Sequence, residues 1–156
     1  MRYKCDFSEL DNYVNKMQEL NTSFETLIET IAKEIASELL ARVKERTPVG
    51  NYSNFVNFTT KDGKDVSFTT KNSKTGGVLR NNWSIAVKSK GAGYQIVLIN
   101  NTKYAEYVEY GHNTPNRKGW VPGKFMMTTS VKEINEESES YISTKIRNWL
   151  RSVLLW

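Results

Sequence analysis

Apolar side chains recur through residues 9–46 at Leu10, Tyr13, Val14, Met17, Leu20, Phe24, Leu27, Ile28, Ile31, Ile35, Leu39 and Val43. Steps of three and four put them on one face of a helix, with Glu25, Glu29, Lys33 and Glu38 largely off it. Ser8, followed by Asp11, supplies a start signal. Asn21-Thr22-Ser23 is a weak interior stretch where the helix is expected to bend or divide. The stop is Thr47-Pro48, because a proline disfavours helix at the residue before it, and Gly50 follows.

The period then changes. Phe55-Val56-Asn57-Phe58-Thr59-Thr60 and Val66-Ser67-Phe68-Thr69-Thr70 are β-type runs around Lys61-Asp62-Gly63-Lys64-Asp65, whose Asp-Gly pair favours a tight turn. They predict a β-hairpin with a basic tip, followed by a flexible connection over 72–77. A second, more apolar hairpin is predicted from Asn82–Lys90 and Tyr94–Asn100 around Gly91-Ala92-Gly93, with Trp83, Ile85 and Val87 on one face. The tyrosines at 104, 107 and 110 recur every three residues, which suits a short helical turn. Residues 111–124 read as a loop. From Phe125 to Leu154 a helical stripe returns through Met127, Val131, Ile134, Ile142, Ile146, Trp149, Leu150 and Val153, interrupted at Ser138.

Helix, hairpin, hairpin, helix predicts an α+β fold. Its antiparallel sheet of about four strands is packed by a long N-terminal and a C-terminal helix, and carries an extended hairpin. At 156 residues the chain reads as a single domain. Its parts are the helix 9–46, a hairpin arm 51–74, a central hairpin with loops 75–124, and the helix 125–154.

Charge sharpens this picture. The formal net charge is +5. Residues 51–90 hold seven basic and two acidic residues, an excess equal to that of the whole chain. The basic residues Lys61, Lys64, Lys71, Lys74, Arg80, Lys88 and Lys90 are interleaved with Tyr52, Phe55, Phe58, Phe68 and Trp83. Cations among aromatics suit a nucleic-acid groove, where phosphates need charge and bases need stacking surfaces. The plainer reading is favoured: aromatics packed inward, with lysines keeping an exposed hairpin soluble and unpaired.

Other chemistry is sparse. Cys5 is the lone cysteine and His112 the lone histidine, which excludes an internal disulfide and a Cys/His zinc site. No apolar run approaches the roughly 20 residues that span a bilayer, and Met1–Leu10 has no signal-peptide pattern, so synthesis inside the cell is expected. His112 follows Gly111 without a nucleophile motif and reads as a solvated loop histidine. Glu106 and Glu109, three apart, would share a helical face, where two carboxylates can bind a metal or move protons. The commoner origin of such a pair is a solvated surface, and the same holds for Glu133, Glu136, Glu137 and Glu139. Gly76-Gly77 fits no phosphate-binding pattern. A non-enzymatic chain without cofactor or metal is expected.

Four segments carry more information in combination: ARVKERTPVG (Ala41–Gly50), TGGVLRNNW (Thr75–Trp83), YAEYVEYG (Tyr104–Gly111) and GWVPGKFM (Gly119–Met126). In order and spacing they resemble the small tail-component or neck proteins of long-tailed bacteriophages and prophages, from about Ala32 onward. The chain departs from that pattern at residues 51–74, which separate the first two segments and form the basic hairpin.

The resemblance implies a head–tail joining or tail-completion subunit, assembled as a ring on the portal–tail axis. Its implied partners are further copies of itself, portal-connector proteins, and tail-tube or tail-terminator proteins, without a membrane. It implies the host cytoplasm during assembly and the virion neck or tail afterwards. A basic DNA-binding protein of phage origin is the competing class. Lys61, Lys64, Lys71, Lys74 and Arg80 are the candidate contacts to a neighbouring subunit or to passing DNA. Pro48, Gly50, Leu79, Trp83, Tyr104, Tyr107, Tyr110, Gly111, Pro122 and Phe125 are the candidate scaffold or interface positions. Among them, Pro48 and Gly50 suit the chain reversal, Leu79 and Trp83 the sheet–helix contact, and the tyrosines a core edge or subunit interface.

Overall fold

The computed structural model describes residues 8–50, 55–60, 63–69, 76–91, 93–114 and 116–154. Helix α1 (Ser8–Arg46) opens with Glu9 and Asp11 and closes with Lys44 and Arg46, so charge at both ends complements the helix dipole. It runs unbroken through Asn21-Thr22-Ser23. Thr22 donates its hydroxyl to the Gln18 carbonyl (3.0 Å), Thr26 to Thr22 (2.9 Å) and Thr30 to Thr26 (2.8 Å). These side chains bond back onto the helix instead of competing with it.

The first hairpin pairs β1 (Phe55–Thr59) with β2 (Asp65–Thr69), antiparallel, in a register from Phe55↔Thr69 to Thr59↔Asp65. Its turn is closed by Thr60 N–H donating to the Lys64 carbonyl (2.8 Å), with Gly63 left-handed at φ +74°. A four-residue helix, α2 (Val78–Asn81), follows. Next come β3 (Trp83–Lys90) and β4 (Gly93–Asn100), whose two-residue link requires antiparallel pairing. After α3 (Ala105–Tyr110), β5 (Gly111–Asn113) and β6 (Trp120–Pro122) form a third hairpin, and α4 (Met126–Leu154) completes the described elements.

The α+β class, both long helices and the extended hairpin are as expected. Among the described residues the strands form three separate pairs. The third pair and α2 lie where loops were expected. The β5–β6 loop is ordered by Thr114, which accepts the Gly119 N–H at its hydroxyl (3.0 Å) and donates its own N–H to the Gly119 carbonyl (2.9 Å). That capping depends on a threonine five residues from a glycine, a pattern with no strand periodicity.

Contacts divide the chain into two units. One comprises residues 1–39, 85–97 and 131–156. Within it α4 runs antiparallel to α1. Tyr141 donates to the Glu34 carboxylate (2.6 Å), Lys145 pairs with the same carboxylate (3.0 Å), and Trp149 donates its indole N–H to the Ser23 hydroxyl (3.0 Å). Phe24 and Trp149 pack with ring centroids 5.2 Å apart. Ile31, Ala32, Ala36, Leu39 and Ile134 are buried. The other unit comprises residues 40–84 and 98–130. Its core is Val43, Leu79, Trp83 and Met126, surrounded by Leu40, Leu98, Ala105, Val108 and Met127.

Candidate functional site

The second unit brings the four motif segments together, beginning at Thr47. This residue is fully buried where α1 ends. Its hydroxyl donates to the Val43 carbonyl (2.6 Å) and accepts the Trp83 indole N–H (2.8 Å). Its carbonyl accepts two bonds from the Arg80 guanidinium, from Nε (3.0 Å) and Nη2 (2.7 Å). A carbonyl freed at a helix end thus receives a charge-assisted fork. Arg80 is half-buried in doing so. Pro48, Val49 and Gly50 follow and are exposed. Gly76 passes so close to the Gly50 carbonyl that an added Cβ would collide with it.

The second segment is fixed again from β4. Asn100 donates its amide to the Leu79 carbonyl (2.8 Å) and accepts the Thr102 N–H (3.0 Å). Leu79 and Trp83 point into the core beside Val43.

The third and fourth segments meet at Glu109. Helix α4 starts after Gly123-Lys124-Phe125, with no Ser, Thr, Asp or Asn positioned to cap it. The cap comes from a distance. Buried Glu109 accepts the Met127 N–H at Oε2 (3.0 Å), and the Thr128 N–H and hydroxyl at Oε1 (2.8 Å each). The carboxylate also lies at the positive end of the helix dipole. Backbone bonds reinforce the junction: Lys124 N–H donates to the Val108 carbonyl (2.8 Å), and Phe125 N–H to that of Glu109 (3.0 Å). Ser130 closes the group by donating to the Met126 carbonyl (2.7 Å) and accepting from Arg46 (3.1 Å).

Two glycines make this approach possible. Gly111 has φ +89°, and a Cβ there would lie 2.8 Å from the Trp120 ring and 2.5 Å from the Val121 carbonyl. A Cβ on Gly123 would overlap the Glu109 carbonyl and the Tyr110 backbone.

The aromatic residues of the same stretch turn outward. Tyr107 and Trp120 are each 59% exposed, and Tyr104, Tyr110, Val121 and Phe125 are also exposed. Pro122 is exposed as well. Phe125 holds a left-handed φ of +48°.

The candidate chemistry does not converge. Glu106 is exposed, whereas Glu109 is buried and its carboxylate is taken up by the backbone of α4. His112 lies edge-on to Tyr107 with ring centroids 5.9 Å apart, and its Nδ1 is 3.3 Å from the Tyr107 carbonyl oxygen. Glu136, Glu137 and Glu139 are exposed on α4, with Glu133 half-buried. Every buried side-chain nitrogen or oxygen among the described residues has a partner. Among those residues no group of three His, Cys, Asp or Glu is placed to hold a metal ion. None of their helices is long and apolar enough to cross a membrane.

Of the basic candidates, Lys64 is exposed at the hairpin turn, and Lys88 and Lys90 are exposed on β3. Lys61, Lys71, Lys74 and Tyr52 lie outside the described residues, as does Cys5.

Sequence reasoning missed Thr47, Glu109 and Asn100 as the polar centres. For Glu109 a signal was available: a helix start without a local cap needs a remote acceptor. Thr47 was visible only as the residue before a proline, and nothing in its neighbourhood marks it as an acceptor for residues 80 and 83.

Thr47, Arg80, Trp83 and Glu109 thus tie the four segments to one another. Residues 8–111 match the family described as "Bacteriophage HK97-gp10, putative tail-component", and the chain belongs to that family. The match runs from α1 through α3 and includes three of the four motif segments; Gly119–Met126 lies beyond it. No curated protein and no solved structure matches the chain.

Proposed function

We propose that this tail component is a head–tail joining, or tail-completion, subunit that works by assembly without catalysis. Copies would associate as a ring at the junction between portal connector and tail. The carrying observation is the division of labour in residues 104–125. Glu109 and the two glycines lock the backbone, while Tyr104, Tyr107, Tyr110, Trp120 and Phe125 are left on the outside. Large amphipathic side chains on a rigid support suit a subunit interface.

The β1–β2 hairpin is the second contact element, with exposed Lys64 at its turn. In a ring it would meet a neighbour's strand edge or acidic surface, or line a channel where weak, sequence-independent phosphate contacts permit DNA to slide. Lys61, Lys71 and Lys74 belong to the same proposed arm. Portal-connector and tail-tube or tail-terminator proteins are the proposed neighbours.

Mass measurement of the full chain, alone and mixed with those proteins, tests the reading. A ring-sized species in either sample supports it; a monomer throughout, with no mixed complex, overturns it. The seven-to-two basic excess of residues 51–90 favours one rival, a DNA-binding protein. Tight duplex binding by the monomer, falling steeply between low and raised salt, would favour that rival.

A further inference from the structure

We infer that the tip and one face of the β5–β6 hairpin form a binding site for an unpaired nucleic-acid strand, with Arg117 and Lys118 on its phosphates and Trp120 against a base.

Charge singles this place out. Residues 101–125 hold four basic side chains, Lys103, Arg117, Lys118 and Lys124, and two carboxylates, Glu106 and Glu109. Glu109 is buried and bonded to the start of α4. One carboxylate is therefore left at the surface against four cations, all of them exposed. Arg117 and Lys118 stand together at the hairpin tip. Among the described residues neither side chain pairs with a carboxylate. Nor does the tip need them. Its turn is held by the Arg117 N–H, which donates to the Thr114 carbonyl (2.8 Å). The Asn116 side-chain oxygen braces it by accepting the Thr114 hydroxyl (2.6 Å) and the Lys118 N–H (3.1 Å). Two adjacent cations on a turn braced by other groups are placed to meet phosphates.

Trp120 decides the kind of anion. The register sets Asn113↔Trp120 and Gly111↔Pro122 on one face of the hairpin and His112↔Val121 on the other. The Trp120 ring lies over Gly111, where an added Cβ would stand 2.8 Å from it, yet the residue is 59% exposed. One side of the indole rests on the hairpin backbone and the other is open to water. A flat π-surface beside two cations suits an unpaired base, which stacks where a carboxylate has nothing to stack. Tyr107, edge-on to His112, belongs to the opposite face, which stays available to a neighbouring subunit. The site belongs to the single chain and does not depend on the ring reading.

The test uses the full chain and a labelled oligothymidine of about 20 nucleotides, with binding read by fluorescence anisotropy. Removing two single-strand phosphate contacts should shrink the loss of affinity between roughly 50 and 200 mM salt by about sevenfold. Arg117→Gln combined with Lys118→Gln should show that change, whereas Lys132→Gln on α4, the same loss of one charge elsewhere, should not. Trp120→Leu should weaken the oligothymidine about tenfold and a duplex by less than about twofold, and Trp120→Phe should keep most of the affinity. Circular dichroism checks that each variant is folded.

No binding of oligothymidine by the unaltered chain up to about 100 μM would overturn the site. So would variants at 117, 118 and 120 that bind as the unaltered chain does. Poly-glutamate that competes as well as unlabelled oligothymidine would overturn it too, by assigning the cations to an acidic protein surface.

Discussion

Two regions of this molecule use apolar and polar residues in opposite ways. Around Thr47 and Glu109, polar groups are buried and satisfied, and the apolar ones beside them fill a core. Along the first turns of α1, polar groups face water while a regular apolar stripe lies open. The first region holds its own segments together. The second leaves large apolar side chains exposed, Leu10, Tyr13 and Met17 among them.

The contrast is tested most severely at the glycines. Gly123→Ala places a Cβ on the Glu109 carbonyl, and the strain should cost about 3 kcal/mol or more, read as a lowered denaturant midpoint. Glu109→Ala should cost about 2–4 kcal/mol, because it strips the acceptors from two backbone N–H groups and a hydroxyl at the start of α4. Glu109→Gln, which keeps one carbonyl acceptor, should lose less. Equal losses would mean that the charge, and not the hydrogen bonding, holds α4.

Smaller effects follow where one bond is removed. Trp83→Phe deletes the bond to Thr47 and should cost about 1–2 kcal/mol by thermal or denaturant unfolding. Outside the node the losses should nearly vanish. Tyr107→Ser should change stability by no more than about 0.5 kcal/mol while weakening association of copies. A large stability loss there would remove the distinction between support and interface.

The smallest effect belongs to the exposed ion pair between the helices. The Tyr141 hydrogen bond, and after it Lys145, hold the Glu34 carboxyl below its ordinary value. A depressed carboxylate contributes above its unfolded pKa and loses that contribution as pH falls through the folded one. Hydrogen bonding to Glu34, and next to Tyr141, raises the Lys145 ammonium above its ordinary value. Its contribution is full below the unfolded pKa and is lost as pH rises through the folded one. Glu34→Gln should therefore flatten a slight loss of stability in acid, below the ordinary carboxylate range, and leave neutral pH nearly unchanged. Denaturation midpoints across that range measure it.

How much the sequence disclosed follows the same division. The long helices were legible because a stripe repeats for many turns, and the first two hairpins because turn residues interrupt β-type runs. The threonines of α1 hid its continuity, since their preference for turns is overridden when each bonds to the carbonyl four residues back. The β5–β6 pair is too short for a period to register. The motif segments were legible as a set, but their roles were not. Arg80, one of seven basic residues in a charged stretch, is tied to the carbonyl of Thr47, a relation 33 residues long that no local pattern carries. Tyr104, Tyr107 and Tyr110 suited either a core edge or an interface by sequence, and the structure leaves all three exposed.

The most direct test of the account is electron microscopy of the full chain mixed with portal-connector proteins. Assembly as a neck subunit predicts closed rings of rotational symmetry seated on the connector. Connectors left bare at every protein ratio, with the chain remaining separate from them, would contradict it.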